Sequence, residues 1–141
     1  MTDIRVLIVD DEAEFVETLV KRLRKRKLDV AGAKGGEEAL TVLEERPVDV
    51  AVVDVKMPDM NGLELLKIIK KRWPLTEVIM LTGHASLDLA MQGMESGAYD
   101  YLMKPMDLDE LLYVIEDANS RRNLMRDADR TEEEPPAQSQ G

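Results

Sequence analysis

Short apolar runs alternate with longer segments of helical period, and this alternation limits the fold more than any other feature of the chain. Ile4–Val9, Val48–Val53 and Val78–Leu81 are β-branched runs, and Leu28–Ala33 and Tyr99–Met103 carry weaker strand signals. Between them, Phe15, Val16, Leu19, Val20 and Leu23 share one helical face. So do Ala39, Leu40 and Leu43; Leu65, Leu66 and Ile69; Leu87, Ala90, Met91 and Met94; and Leu108, Leu111, Leu112 and Ile115. Val6–Val9 and Val50–Val53 are apolar throughout, as strands covered on both faces are. A strand–helix pair repeated five times, with right-handed crossovers, predicts an α/β fold: a doubly wound, five-stranded parallel sheet with five helices on its two faces.

Local punctuation agrees. Asn61 with Glu64, and Asp107 with Glu110, have the spacing of capping boxes, and Pro47 and Pro74 each follow a helical stretch and precede a strand. The last stretch changes character: Asp127 to Gly141 holds five acids and one arginine, then Pro135-Pro136 and a polar end. It has too little apolar surface to offset its ordering entropy. The expected organisation is therefore one domain over residues 1–125 and an acidic, disordered tail over 126–141.

Composition excludes several functions. The formal net charge of −10 opposes direct binding to a nucleic-acid backbone. The chain has no cysteine and one histidine, so thiolate and His-cluster metal sites are absent. No apolar run approaches the roughly 20 residues of a membrane span, and none resembles a signal peptide; a cytoplasmic location without membrane contact is expected. The basic run Lys21–Lys27 reads as a solvated helix end, where cations complement the dipole.

In open parallel sheets, ligands sit beyond the carboxyl ends of the strands. The first strand stops at Asp10-Asp11, the third at Asp54, the fourth at Leu81-Thr82-Gly83 and the fifth at Met103-Lys104-Pro105. Taken singly these are weak signals, since an aspartate after a strand is often a helix cap and Thr82 or Lys104 an ordinary surface group. Together they place three carboxylates, a hydroxyl and an ammonium on one rim. At about 5 Å and an effective dielectric near 20, each carboxylate pair repels by roughly 3 kcal/mol. Lys104 offsets one charge; a hard divalent cation such as Mg²⁺ offsets the rest. A carboxylate in such a site can accept a phosphoryl group, with cation, ammonium and hydroxyl on its oxygens.

Asp10-Asp11, the segment Val53-Asp54-Val55-Lys56-Met57-Pro58-Asp59-Met60-Asn61-Gly62, Thr82-Gly83 and Tyr101-Leu102-Met103-Lys104-Pro105 resemble, in order and over about residues 4–122, the receiver domain of two-component response regulators. The resemblance implies the flavodoxin-like receiver fold with strand order 2-1-3-4-5. It implies that Asp54 is the phosphoacceptor, and that Asp11, Asp54 and the backbone carbonyl of Lys56 ligate Mg²⁺, with Asp10 acting mostly through water. Lys104 and Thr82 would contact the phosphoryl group, Thr82 and Tyr101 would form the switch, and Lys56 and His84 would tune its lifetime. Lys104-Pro105 would be a cis peptide. The implied partners are a sensor histidine kinase or phosphotransfer protein, and a downstream protein target that the sequence does not name. A stand-alone, chemotaxis-regulator-like receiver is expected, acting on no substrate beyond its own phosphorylation and dephosphorylation. A phosphorylation-dependent homodimer through the fourth and fifth helices is expected as well. Met91, Tyr101 and Met106 are candidates for that output face, although methionines at helical spacing are usually core fillers.

Two other classes compete. A Mg²⁺-dependent phosphohydrolase with an aspartate nucleophile usually has a second acid two residues on, where Lys56 stands here. A nucleotide- or flavin-binding module needs a glycine-rich loop after the first strand, where Asp10 and Asp11 stand.

Overall fold

The strands and helices follow the apolar periods. The computed structural model describes the backbone of residues 3–133 and the side chains of residues 3–128. In chain order come β1 (Arg5–Val9), α1 (Ala13–Lys25), β2 (Asp29–Ala33), α2 (Gly36–Glu45), β3 (Val50–Asp54) and α3 (Gly62–Arg72). Then follow β4 (Glu77–Thr82), a 3-10 turn (His84–Ser86), α4 (Leu87–Glu95), β5 (Asp100–Met103) and α5 (Leu108–Glu133). All strand pairs are parallel and the order is β2-β1-β3-β4-β5, the expected doubly wound sheet.

Strand side chains alternate between faces, so a strand covered on both sides must be apolar at every position. Val6, Ile8, Val52 and Ile79 pack under α1 and α5 with Val16, Leu19, Leu23, Leu111 and Ile115. Leu7, Val9, Val53 and Met80 pack on the other face with Leu43, Leu65, Leu66, Ile69 and Ala90 of α2, α3 and α4. Of the methionines, Met57 is buried, while Met91 is 48% exposed on α4.

The turns that carry chemistry are closed by specific contacts. At α3 the capping box forms: Asn61 Oδ1 accepts from Glu64 N–H (2.9 Å) and Glu64 Oε1 from Asn61 N–H (3.0 Å). The N-terminus of α2 is capped from another loop. Asp59 accepts from the N–H groups of Gly36 (3.3 Å) and Glu37 (3.2 Å), tying the turn after β3 to the turn after β2. Burial would raise the Asp59 carboxyl, but these backbone donors and that of Met60 outweigh it and hold the group below its ordinary value.

Gly62 closes the loop directly behind Asp54. Its N–H donates to the Val55 carbonyl (2.7 Å), and a Cβ there would stand 2.5 Å from the Asp54 carbonyl oxygen. The obstacle is backbone and cannot rotate away. Gly62→Ala is expected to lower stability by about 1–3 kcal/mol, read as a lower urea midpoint at unchanged slope.

At the C-terminal end α5 runs on into the expected tail. Residues 126–133, expected to be disordered, continue α5 to Glu133. Once a helix is nucleated each further residue adds a hydrogen bond at little cost, so elongation does not require burial. The helix is also tied beneath the sheet, where Arg122 pairs with Asp49 (3.0 Å) and Arg121 with Glu77 (3.6 Å). The rest of the expected tail, 134–141, lies outside the described residues. Among the described residues no helix is long and apolar enough to cross a membrane.

Candidate functional site

Strand register decides which side chains meet. Val9 pairs with Val53 across β1 and β3, which brings the next residues, Asp10 and Asp54, side by side. Asp54 pairs with Leu81, and Thr82 with Met103, so the ends of β4 and β5 continue the same rim. The sheet changes direction between β1 and β3, the place where open α/β sheets form a crevice.

Carboxylate oxygens of Asp10, Asp11 and Asp54 all lie within 4.8 Å of one another. Asp10 is fully buried, Asp54 is 8% exposed and Asp11 faces solvent. Asp10 is held on both oxygens. Oδ1 accepts from Glu12 N–H (3.0 Å) and Oδ2 from Lys104 Nζ (2.6 Å). Lys104 reaches this position through its backbone N–H, which donates to the Thr82 carbonyl (2.7 Å), and the Lys104-Pro105 peptide is cis. Lys104 Nζ is also 3.4 Å from Asp54 Oδ1 and 3.8 Å from Glu12 Oε1.

These contacts set the electrostatics. Burial, reinforced by the Asp10 charge, pushes the Asp54 carboxyl up to about 6, against the pull of Lys104. The ammonium makes its short hydrogen bond to Asp10, which limits its effect on Asp54. For Lys104, burial alone would lower the pKa, but the bond to Asp10 and the charges of Asp54 and Asp10 outweigh it, and the net shift is upward.

The remaining expected residues stand around this group. Thr82 is 1% exposed, and its hydroxyl donates to the Gly83 carbonyl (2.9 Å), not to Asp54. Tyr101 is half-buried against the core under α2, α3 and α4. Lys56 is exposed and, with Asp11, Met57, Pro58, Asn61 and Leu89, lines a shallow cavity of about 440 Å³. His84 is exposed at the start of the 3-10 turn. Gly83 leaves one flank open, with nothing within 4 Å of where a Cβ would stand.

Two neighbours of Lys104 were not singled out in the sequence. Phe15 places its ring centroid 4.5 Å from Nζ, and Glu12 brings its carboxylate to the same group. Phe15 reads as a core residue because helical period puts it on the inner face of α1. Its place one helical turn beyond Asp11 is the signal that could have marked it.

The donor set around Asp10, Asp11 and Asp54 is all oxygen and carries more negative charge than Lys104 neutralises. Such a set fits a hard cation of the Mg²⁺ type.

A parallel sheet with clustered acids at β1 and β3, a buried hydroxyl at β4 and a lysine at the end of β5 defines a receiver, a phosphorylation-dependent signalling switch of two-component systems. The chain belongs to the response regulator receiver domain family, whose profile matches residues 6–116. Over 119 residues it is 40% identical to the response regulator protein PilR of Pseudomonas aeruginosa, covering 84% of this chain and 27% of that protein. It is 40% identical over 115 residues to the DNA-binding transcriptional regulator NtrC of Escherichia coli K12, covering 82% of this chain and 24% of NtrC. The chain thus spans about a quarter of the length of these two relatives. Among solved structures, it superposes on a response regulator receiver domain protein from Clostridium thermocellum with a TM-score of 0.83 at 35% identity, covering 86% of this chain and 98% of that one. A CheY-like receiver domain protein from Methanospirillum hungatei gives a TM-score of 0.83 at 32% identity, covering 88% and 99%.

Proposed function

We propose that Asp54 accepts a phosphoryl group from the phosphohistidine of a sensor histidine kinase or phosphotransfer protein in the cytoplasm. The P–N bond breaks with its electron pair left on the imidazole, and an O–P bond forms to Asp54. The observation that carries this reading is the cluster itself: three carboxylates within 4.8 Å of one another, one of them raised to about 6 by burial and like charge, beside the Lys104 ammonium. A buried carboxylate at that position is poorly solvated and therefore reactive.

Asp10, Asp11, Asp54 and the backbone carbonyl of Lys56 would hold Mg²⁺. When bound, the cation would supply positive charge to offset the carboxylates and the incoming phosphoryl oxygens. The chain's own groups do the rest. Asp10 keeps Lys104 at the rim until a phosphoryl oxygen competes for the ammonium. Thr82, whose hydroxyl bonds the Gly83 carbonyl of its own turn among the described residues, turns toward the modified Asp54, and Tyr101 follows into the space behind it. Lys56 and His84, both exposed beside the rim, reach the approach of water and so set the lifetime of the acyl phosphate.

The output face is that of α4, β5 and α5, where Met91 (48% exposed) and Tyr113 (68% exposed) give apolar contact area. A protein target or a second phosphorylated copy would bind there. The test is incubation with Mg²⁺ and a phosphohistidine donor, followed by borohydride trapping and peptide mapping. Trapping at Asp54 is expected; trapping elsewhere, or none across several donors, overturns the reading.

A further inference from the structure

We propose that Phe15 is a positioning residue for Lys104, holding the ammonium over the face of its ring so that Nζ stays within reach of Asp54. This rests on the reading of Asp54 as phosphoacceptor. Among the described residues the Lys104 ammonium has four close partners: Asp10 Oδ2 at 2.6 Å, Asp54 Oδ1 at 3.4 Å, Glu12 Oε1 at 3.8 Å and the Phe15 ring centroid at 4.5 Å. The first two are carboxylates of the acidic cluster, and Glu12 is 70% exposed at its side chain and weakened by solvent. Phe15 is the contact that is neither acidic nor mobile in water, because it packs against the α1–α5 core.

Chemistry explains why a ring suits this place. Lysine carries its charge on a flexible four-carbon stem and pays rotamer entropy to stay in one position. A further carboxylate would hold the charge but would compete with Asp54 for its protons. An aromatic face attracts the cation through its quadrupole and offers no oxygen ligand to a divalent ion. The N–H groups of Lys104 thus remain available to the carboxylates and, later, to a phosphoryl oxygen. Phe15 is the only phenylalanine in the chain, and it sits where the apolar wall formed with Leu19, Met106 and Leu108 meets the acidic rim.

The competing explanation is that Phe15 is there only to fill that wall. Phe15→Leu keeps the apolar bulk and removes the quadrupole; Phe15→Tyr and Phe15→Trp keep the aromatic face. The groove beside Phe15 is open, with a volume of about 470 Å³, so the larger rings have room. With phosphoramidate and Mg²⁺, a small donor that needs no protein docking, Phe15→Leu is expected to slow labelling of Asp54 by roughly twofold to thirtyfold. Tyr and Trp should restore the rate. In a Lys104→Met background the Leu substitution should have no further effect, since the partner of the ring is gone. Independently of any phosphorylation, NMR should show the ε-protons of Lys104 shifted upfield by the ring, with the shift lost in the Leu variant and kept in the Tyr variant. If wild-type protein takes no phosphoryl group, the phosphoacceptor reading fails, while the ring-shift measurement still decides the placement of Lys104. If wild type is labelled and Phe15→Leu is labelled as fast, or Tyr and Trp slow it equally, or the Leu effect persists without Lys104, the inference is wrong.

Discussion

Replacing Asp54 by Asn is expected to abolish phosphoryl uptake and, in the same protein, to raise stability at neutral pH. Both effects have one origin. The native carboxyl titrates near 6 where an ordinary aspartate titrates at 3.8, because it is buried beside Asp10. Between those values the native state binds the proton more tightly than the unfolded chain does, so stability falls as pH rises through that window. The full difference, a little over two pH units, corresponds to about 3 kcal/mol. Asn removes the charge but accepts a weaker bond from Lys104, so the net gain at pH 7.5 is set at about 1–3 kcal/mol. Urea unfolding in EDTA at pH 4, 5.5 and 7.5 measures it. The gap between the two proteins should be small at pH 4 and grow toward neutrality; parallel curves would mean that Asp54 is not strained by its setting. Adding Mg²⁺ should stabilise the wild type far more than the Asn variant.

Removal of the ammonium acts in the opposite direction. Lys104→Met leaves Asp10, which has no solvent exposure, without the donor that stands 2.6 Å from Oδ2. Breaking a buried pair from one side costs about 3–5 kcal/mol. The Lys104 side chain keeps 23% of its exposure, so solvent screens the pair somewhat and the lower end of that range is expected. The loss should be largest near neutral pH in EDTA. It should shrink on acidification as Asp54 takes up its proton, and shrink again with Mg²⁺. At high pH the sign follows from the raised value of Lys104. Its contribution is complete below the ordinary 10.5 and disappears only as pH passes through the higher native value. Thermal or urea unfolding of both proteins from pH 5 to 9 gives the profile. A pH-independent loss that Mg²⁺ does not touch would point to packing of the lysine stem as the cause.

The two variants also separate the roles of neighbouring groups. Asp54→Asn keeps Lys104 paired with Asp10, whereas Lys104→Met keeps both acids and removes their shared counter-charge. A domain of this size has only about 5–15 kcal/mol of net stability, so either change is readily measured. The acidic rim is thus maintained against its own repulsion, as sites of perturbed ionisation commonly are.

The fold was legible because its determinants are local. Val6–Val9 and Val50–Val53 are apolar at each position, and only a strand buried on two faces needs that. The positions of Asp10, Asp11, Asp54, Thr82 and Lys104 were legible for a related reason: each ends an apolar run, and parallel strands present their carboxyl ends on one rim. The turn at Gly62 and the cap from Asp59 to α2 were not, since each depends on how closely two loops approach. The continuation of α5 to Glu133 was not legible either, because helix elongation needs no apolar face to mark it in the sequence.

Periodicity and run length in the amino-acid order alone thus settled the layers, the parallel sheet and the roster of charged groups along its edge. Tertiary structure alone decided how those groups are wired. Lys104 lies 94 residues from Asp10, and only register and crossover handedness bring its ammonium closer to Asp10 than to Asp54. The same placement raises Asp54 and lays the ring of Phe15 beside the cation. Coulomb and hydrogen-bond energies vary over tenths of an ångström to a few ångströms, a scale that exists only once distant parts of the chain have packed together.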